Sequence, residues 1–156
     1  MISFRFSSFL AISALFLGCS SSTPDTLVTS GYDEEEMAKA IERAISEVDT
    51  FIADLKTGQS MSYGVKVPIE DDGAVEHFWL TGVTYDNNKF TGTIDNEPGI
   101  VSNVTIGQQY SVAKDEISDW MFLRDGKMYG NYTMRPLLAT LPEEEANRYR
   151  AMFANP

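Results

Sequence analysis

A long amphipathic segment is the first regular pattern in the sequence. Between Asp33 and Gly58, apolar residues recur at spacings of three and four, which places them on one face of a helix. Asp33 suits the N-cap, with Glu36 three residues later, and Gly58 suits the C-terminal stop. We therefore predict one helix over 33–58, and core packing is favoured over display to a partner. The apolar face carries Met37, Ile41, Ile45, Val48, Ile52 and Leu55.

From Ser62 to Tyr132 the period changes from helical to alternating, as expected for strands. Asn87-Asn88 and Asp125-Gly126 can adopt the left-handed angles of two-residue hairpin turns. The pattern predicts an antiparallel meander of five or six strands in segments 63–69, 74–98, 108–113 and 119–132.

A short terminal helix is predicted after Leu138, where Thr140 can act as its cap and Glu143 follows three residues later. The fold class is α+β. The N-terminal helix packs on a five- or six-stranded antiparallel sheet or a partly closed small barrel, and a short C-terminal helix follows.

The hairpin at Asp125-Gly126 predicts two faces, since directly paired residues share a side of the sheet. The aliphatic face is expected to be core. The aromatic face either fills a second small core, which is the favoured reading, or forms an exposed binding platform. The aliphatic residues are Met121, Leu123 and Met128, and the other face has Trp120, Phe122, Tyr129 and Asn131.

In the Asn87-Asn88 hairpin, the predicted pairs join Tyr85 to Phe90 and Trp79 to Asn96. One face is then expected to hold Tyr85, Val83, Trp79, Phe90 and Ile94.

Each hairpin has a carboxylate near its open end, Asp95 in the first and Asp119 in the second. If the open ends meet, these carboxylates and Arg135 form a polar cluster between the two tryptophans. A bidentate clamp from Arg135 to Asp119 is favoured over an arginine that binds a carboxylate or phosphate ligand. The candidate binding residues are Trp79, Asp95, Asn96, Asp119, Trp120 and Arg135.

The N-terminus resembles a bacterial lipoprotein signal. Arg5 precedes an apolar run over 9–17, and "LFLGC" resembles a lipobox that would be cleaved after Gly18 to leave Cys19 as the lipid attachment site. The run is too short for a membrane-spanning helix. We expect a signal peptide over 1–18, a flexible Ser/Thr-rich tether over 19–31, and one globular domain over 32–156.

Charge and composition limit the partners of this domain. The chain has a net charge of −11, and loss of Arg5 with the signal makes it one unit more negative. Nucleic acid and anionic headgroups repel such a surface, so a partner recognised through charge would be basic, although plain solubility is the favoured reason for the acidity. Cys19 is the only cysteine, so no disulfide is expected.

No catalytic constellation stands out. His77 is the only histidine and has no metal-ligand spacing around it, and we expect neither a metal nor a cofactor. No nucleophile motif is present. A hydrolase that uses two carboxylates, Asp95 and Asp119, is the enzyme alternative.

Four motifs resemble the bacterial domain-of-unknown-function family 2314, the family of small YegJ-like proteins. They are "VKVP", then Glu76, His77 and Trp79, then Phe90 to Pro98, and finally "ISDWM" with "DGK" and the residues to Arg135. The resemblance covers about 63–138, implies one fold for this core, and brings no catalytic residues.

These features predict a lipid-anchored binding or interaction protein of the bacterial envelope, on the periplasmic face of the outer membrane and without catalytic activity. Its partner is expected to be a protein. An acidic immunity lipoprotein that neutralises a basic toxin and an envelope accessory protein are two forms of this hypothesis.

Overall fold

The computed structural model describes residues 30–154. The predicted signal peptide, Cys19 and nearly all of the predicted tether lie outside the described residues.

Two consecutive helices replace the single helix predicted over 33–58. They are α1, Glu34–Ser46, and α2, Val48–Thr57, with an interruption at Glu47, whose φ and ψ are −102° and 5°. The predicted ends are confirmed. The Asp33 carboxylate accepts hydrogen bonds from the backbone N–H groups of Glu35 and Glu36, and Gly58 ends α2 with a φ of 63°.

Six antiparallel strands form one sheet, which confirms the α+β class. The sheet is open, with the order β4-β3-β2-β1-β5-β6, so the alternative of a partly closed barrel is wrong. The strands are β1 Met61–Asp71, β2 Ala74–Asp86, β3 Lys89–Ile94, β4 Gln109–Ala113, β5 Asp119–Arg124 and β6 Lys127–Gly130.

Three tight turns fix the hairpins. Asn87-Asn88 and Asp125-Gly126 have positive φ at both residues, as predicted, and Asp72-Gly73 between β1 and β2 does too. In the β5–β6 hairpin every paired residue from Met121–Gly130 to Arg124–Lys127 is the predicted one.

The core lies between the sheet and the two N-terminal helices. Phe51 of α2 contacts the rings of Trp120, Phe122 and Phe90 at centroid distances of 5.6, 6.4 and 5.7 Å. Trp120 and Phe122 are fully buried, so the aromatic face of the β5–β6 hairpin is core. The prediction that its aliphatic face is the core face is wrong, because α1 and α2 cover the aromatic face, where Phe51 and the Ala44 carbonyl contact Trp120.

A β-bulge in β2 changes the face that was predicted for Trp79. The register between β2 and β3 shifts between Thr81 and Thr84, where one additional residue in β2 inverts the alternation of sides. Phe78 and Leu80 therefore occupy the core, and the prediction that Trp79 shares a face with Val83 is wrong.

The C-terminal segment covers one edge of the sheet. After β6 come α3, Met134–Leu137, a 3₁₀ turn, Leu138–Thr140, and α4, Glu143–Met152. The prediction that Thr140 caps α4 is wrong. Pro142 holds the N-cap position of α4, and the Thr140 hydroxyl donates to the carbonyl of Leu137 at 2.7 Å within the 3₁₀ turn. Phe153 and Ala154 then run along β6, where the Ala154 N–H donates to the carbonyl of Met128.

Candidate functional site

The sheet divides into two parts at one end of the β1–β2 pair. The pair ends at Val65 and Leu80. Beyond it, β1 continues along β5 only, and β2 continues along β3 only. Residues 61–64 and 81–84 therefore have one neighbouring strand each instead of two, and their free backbone edges border a gap.

Both segments contain a β-bulge. One lies between Met61 and Gly64, where Ser62 has a φ of 55°, and the other includes Gly82 with a φ of 60°. A bulge bends its strand and increases the local twist. The two bulges thus bend β1 and β2 at the place where the strands part, so the gap is built into the backbone of the sheet.

A concavity of about 660 Å³ occupies this gap, a volume in the range of ligand sites. We call it the strand cleft. Its lining residues are Ser62, Tyr63, Gly64, Trp79, Thr81, Gly82, Val83, Asp95, Asn96 and Met121.

Trp79 is held in place as one wall of the strand cleft. Its backbone N–H donates to the side-chain oxygen of Asn96 at 2.9 Å, and its carbonyl accepts from the Asp95 N–H at 3.0 Å. Its ring lies so close to Gly64 that a Cβ there would be 3.2 Å from the ring. Lys66 lies over the ring at 5.5 Å from its centroid. The indole is therefore half-buried and fixed in orientation.

Tyr63 on the other side of the strand cleft is fixed as well. Its hydroxyl donates to the carboxylate of Asp54 in α2 at 2.7 Å, and its ring lies 6.0 Å from that of Phe51. Asp95, in contrast, is exposed, and no ion pair to it is found within residues 30–154. The strand cleft therefore combines rigid aromatic walls with an accessible carboxylate.

Asp119 is enclosed in the protein, with an exposure of 0 %. Its carboxylate accepts hydrogen bonds from the N–H and hydroxyl of Thr133, at 2.8 and 2.7 Å, and from the Trp120 N–H at 2.8 Å. Burial raises the pKa of Asp119, while these hydrogen bonds and the charge of Lys66 oppose the rise. The carboxylate anchors the chain after β6 and is not available to a substrate.

Arg135 does not form the predicted clamp with Asp119. No ion pair between them occurs in the described part of the chain, and the guanidinium lies over the rings of Tyr132 and Phe153, at 5.4 and 4.5 Å. Its Nε is buried without a hydrogen-bond partner. Burial and the nearby charge of Arg43 lower the pKa of Arg135. The side chain serves mainly to pack the C-terminal segment.

The six predicted site residues thus occupy three places. Trp79, Asp95 and Asn96 meet in the strand cleft. Asp119 is interior, while Trp120 and Arg135 border a separate cavity of about 150 Å³ beside Tyr132. The predicted cluster of Asp95, Asp119 and Arg135 is therefore not formed, because the two hairpins are joined through β1 and do not bring their carboxylates together.

A polar network near Trp79 was not predicted from the sequence. Lys66 donates to the hydroxyl of Thr133 at 3.2 Å, and the His77 Nδ1 lies 2.9 Å from the Ser118 hydroxyl, which in turn contacts the Lys66 carbonyl. Desolvation by neighbouring groups and the charge of Lys66 lower the pKa of His77 to about 4, although one side of the residue is exposed to solvent. The single signal in the sequence is the lysine within the apolar run "VKV".

This network does not form a nucleophilic site. Ser118 is 2 % exposed, and its hydroxyl is committed to contacts with His77 and the Lys66 carbonyl. An acyl or phosphoryl substrate would need access to that oxygen. The His77 and Ser118 pair therefore supports the structure of the sheet.

The acids near His77 position a loop. The Glu76 carboxylate accepts hydrogen bonds from the backbone N–H groups of Gly99, Ile100 and Val101 at 2.8 to 3.1 Å. Asp71 accepts from the N–H and hydroxyl of Ser102. Among residues 30–154, no group of three metal-ligating side chains is found. These contacts hold the segment that follows Asp95 and Asn96 and so stabilise one wall of the strand cleft.

A family model described as an uncharacterized protein conserved in bacteria, DUF2314, matches residues 34–154. The chain belongs to this family. The match includes both N-terminal helices and α4, which lie outside the motifs at 63–138.

Two proteins illustrate what this chain is similar to. The chain is 49% identical over 144 residues to the uncharacterized protein YegJ of Escherichia coli K12, covering 91% of this chain and 94% of that protein. It is 37% identical over 93 residues to a putative ankyrin repeat protein of Neisseria meningitidis serogroup B, covering 57% of this chain and 37% of that protein. No solved structure matches the chain. None of the helices in the described range is long and apolar enough to cross a membrane.

Proposed function

We propose that this member of the family is a lipid-anchored binding protein of the bacterial envelope, and that its partner protein binds in the strand cleft. The observation that carries the proposal is the cleft itself, where two bulged strands part beside the fixed Trp79 and the accessible Asp95. Bulges beside an opening in a sheet are typical of sites that aim residues at a ligand.

The sequence supports the place in the cell. A lipid on Cys19 would tether the domain through residues 20–31, and Ser20 after the cysteine favours the periplasmic face of the outer membrane. A serine- and threonine-rich tether lets the domain reach partners away from the bilayer.

Binding is favoured over hydrolysis because the two carboxylates of the enzyme alternative are not equivalent. Asp95 is exposed at the strand cleft, but Asp119 is enclosed by Thr133 and Trp120. A hydrolase of the two-carboxylate type needs both groups at the substrate. The described residues place one carboxylate there, which suits recognition of a cation. A basic envelope protein or a basic toxin fits this surface.

Site-specific photo-crosslinking in living bacteria tests the proposal. The photoreactive residue p-benzoylphenylalanine replaces Thr81, which lines the strand cleft, or Val75, which is 50% exposed near the opposite turn of β1–β2. We expect a discrete crosslinked product from position 81 that weakens when Asp95 is changed to Asn, and none from position 75. Equal products from both positions, or none from position 81, would contradict the proposal.

A further inference from the structure

We propose that the ligand of the strand cleft is an extended segment of a partner protein that carries a cationic side chain and pairs through its backbone with the free strand edges. The inference rests on the proposed function and names the form of the ligand. It commits to a linear segment rather than a folded surface.

The free edges favour backbone pairing. Residues 61–64 and 81–84 each lack a neighbour on the side that borders the gap. Such edges present N–H and C=O groups to any extended chain, and β-strand addition is a common way to bind peptides. Four residues of strand correspond to about 13 Å, so the cleft suits a short extended segment.

Gly82 leaves space for that backbone, and Gly64 accommodates the tryptophan beside it. A Cβ at Gly82 would meet no atom within 4 Å, so this position opens into free space at the edge of β2. At Gly64 the absence of a side chain lets the indole of Trp79 lie close against the strand. An incoming backbone can therefore approach the β2 edge closely while the tryptophan remains beside it.

The walls suit alternating side chains. Met121 and Trp79, which both lie against Gly64, provide an apolar surface, and Met is adaptable in shape. Successive residues of an extended segment point to opposite sides. When one apolar side chain of the ligand contacts these walls, the next side chain therefore points towards the rim of the strand cleft, where Asp95 is exposed.

At the rim, Asp95 favours a cation. Its carboxylate is exposed beside Trp79 and has no ion-pair partner within residues 30–154. An arginine can pair with a carboxylate and stack on an aromatic ring, and a lysine can form the ion pair. The net charge of −11 also favours a basic segment over a second copy of this acidic chain.

The experiment pans phage-displayed linear heptapeptides on the full-length protein in detergent. Enriched peptides are synthesised and titrated against the wild type, Asp95→Asn, and the matched control Asp72→Asn, an exposed acid in the turn at the opposite end of β1. We expect Lys or Arg next to an apolar residue in the enriched sequences. Affinity should fall about fivefold for Asp95→Asn and stay unchanged for the control.

A second measurement tests the backbone pairing. N-methylation of alternate peptide amides should weaken binding about tenfold or more, and hydrogen exchange in 61–64 and 81–84 should slow when the unmodified peptide binds. Any of three results would overturn the inference. The panning enriches no sequence, Asp95→Asn and Asp72→Asn change the peptide affinity equally, or N-methylation leaves the affinity unchanged. If the crosslink from position 81 persists without peptide binding, the proposed function stands and the extended form of the ligand does not.

Discussion

At the scale of single residues, the two tryptophans have different roles although both stand near the open end of a hairpin. Trp120 is buried against Phe51, and its indole N–H donates to the Ala44 carbonyl at 2.8 Å. Trp79 stands on the opposite side of the sheet, in the wall of the strand cleft. Their substitutions should therefore separate stability from binding.

Trp120→Ala tests the structural role. Removing a fully buried indole leaves a cavity and an unpaired Ala44 carbonyl, so the free energy of unfolding should fall by about 3 to 5 kcal/mol. Urea denaturation followed by circular dichroism measures the change. A loss below about 1 kcal/mol would show that the core does not depend on this side chain.

His77 makes stability depend on pH. Its pKa is about 4 in the folded protein against 6.5 ordinarily, so between these values the unfolded chain binds a proton that the folded protein does not. The free energy of unfolding should therefore decrease as pH falls from about 6.5 towards 5, before most carboxylates titrate. Urea denaturation of the wild type and of His77→Gln at pH 6.5 and at pH 5 measures this decrease. The free energy of unfolding should change less with pH in the variant. An unchanged slope would contradict the assignment.

At the scale of elements, the loop after β3 depends on Glu76. Its buried carboxylate holds the N–H groups of residues 99–101, and this loop follows directly after Asp95 and Asn96. Glu76→Gln keeps the shape but replaces one acceptor oxygen with a donor. We expect a loss of about 1 to 3 kcal/mol in the free energy of unfolding and faster hydrogen exchange over 97–104. Glu70→Gln, at a neighbouring exposed position, should change neither quantity.

Local turn chemistry made the hairpins predictable. Asn87-Asn88 and Asp125-Gly126 tolerate positive φ, so turn position and register in β5–β6 followed directly from the sequence. Capping residues at Asp33 and Gly58 likewise marked the ends of the helical region.

Features that depend on distant contacts were not predictable. Nothing in "LTGVT" indicates that Gly82 lies in a bulge. This bulge moves Trp79 to the other side of the sheet and, together with the bulge in β1, opens the strand cleft. The break at Glu47 coincides with a contact between its carboxylate and the Tyr132 hydroxyl, 85 residues away. Asp119 was predicted to pair with Arg135, but its carboxylate is bound by Thr133, a neutral residue after the β5–β6 hairpin that no charge pattern singles out.

At the scale of the whole molecule, the proposed lipid on Cys19 would hold the acidic domain at the outer membrane. Replacing Cys19 by Ala removes the thiol that would carry the lipid. We expect labelled palmitate to be incorporated into the wild type and not into this variant, and the wild type to fractionate with the outer membrane. A Ser22→Ala variant, also in the tether, controls for the substitution itself. Absence of label from the wild type would contradict a lipid anchor.

The most direct test of the strand cleft as the binding site combines Trp79→Ala with the photoreactive residue at position 81. Trp79 is half-buried and outside the main core, so the variant should remain folded by circular dichroism. We predict that the crosslinked product from position 81 is lost when Trp79 is replaced and is kept when the exposed Val75 is changed to Ala. An undiminished product in a folded Trp79→Ala protein would contradict the proposal that the partner binds in the strand cleft.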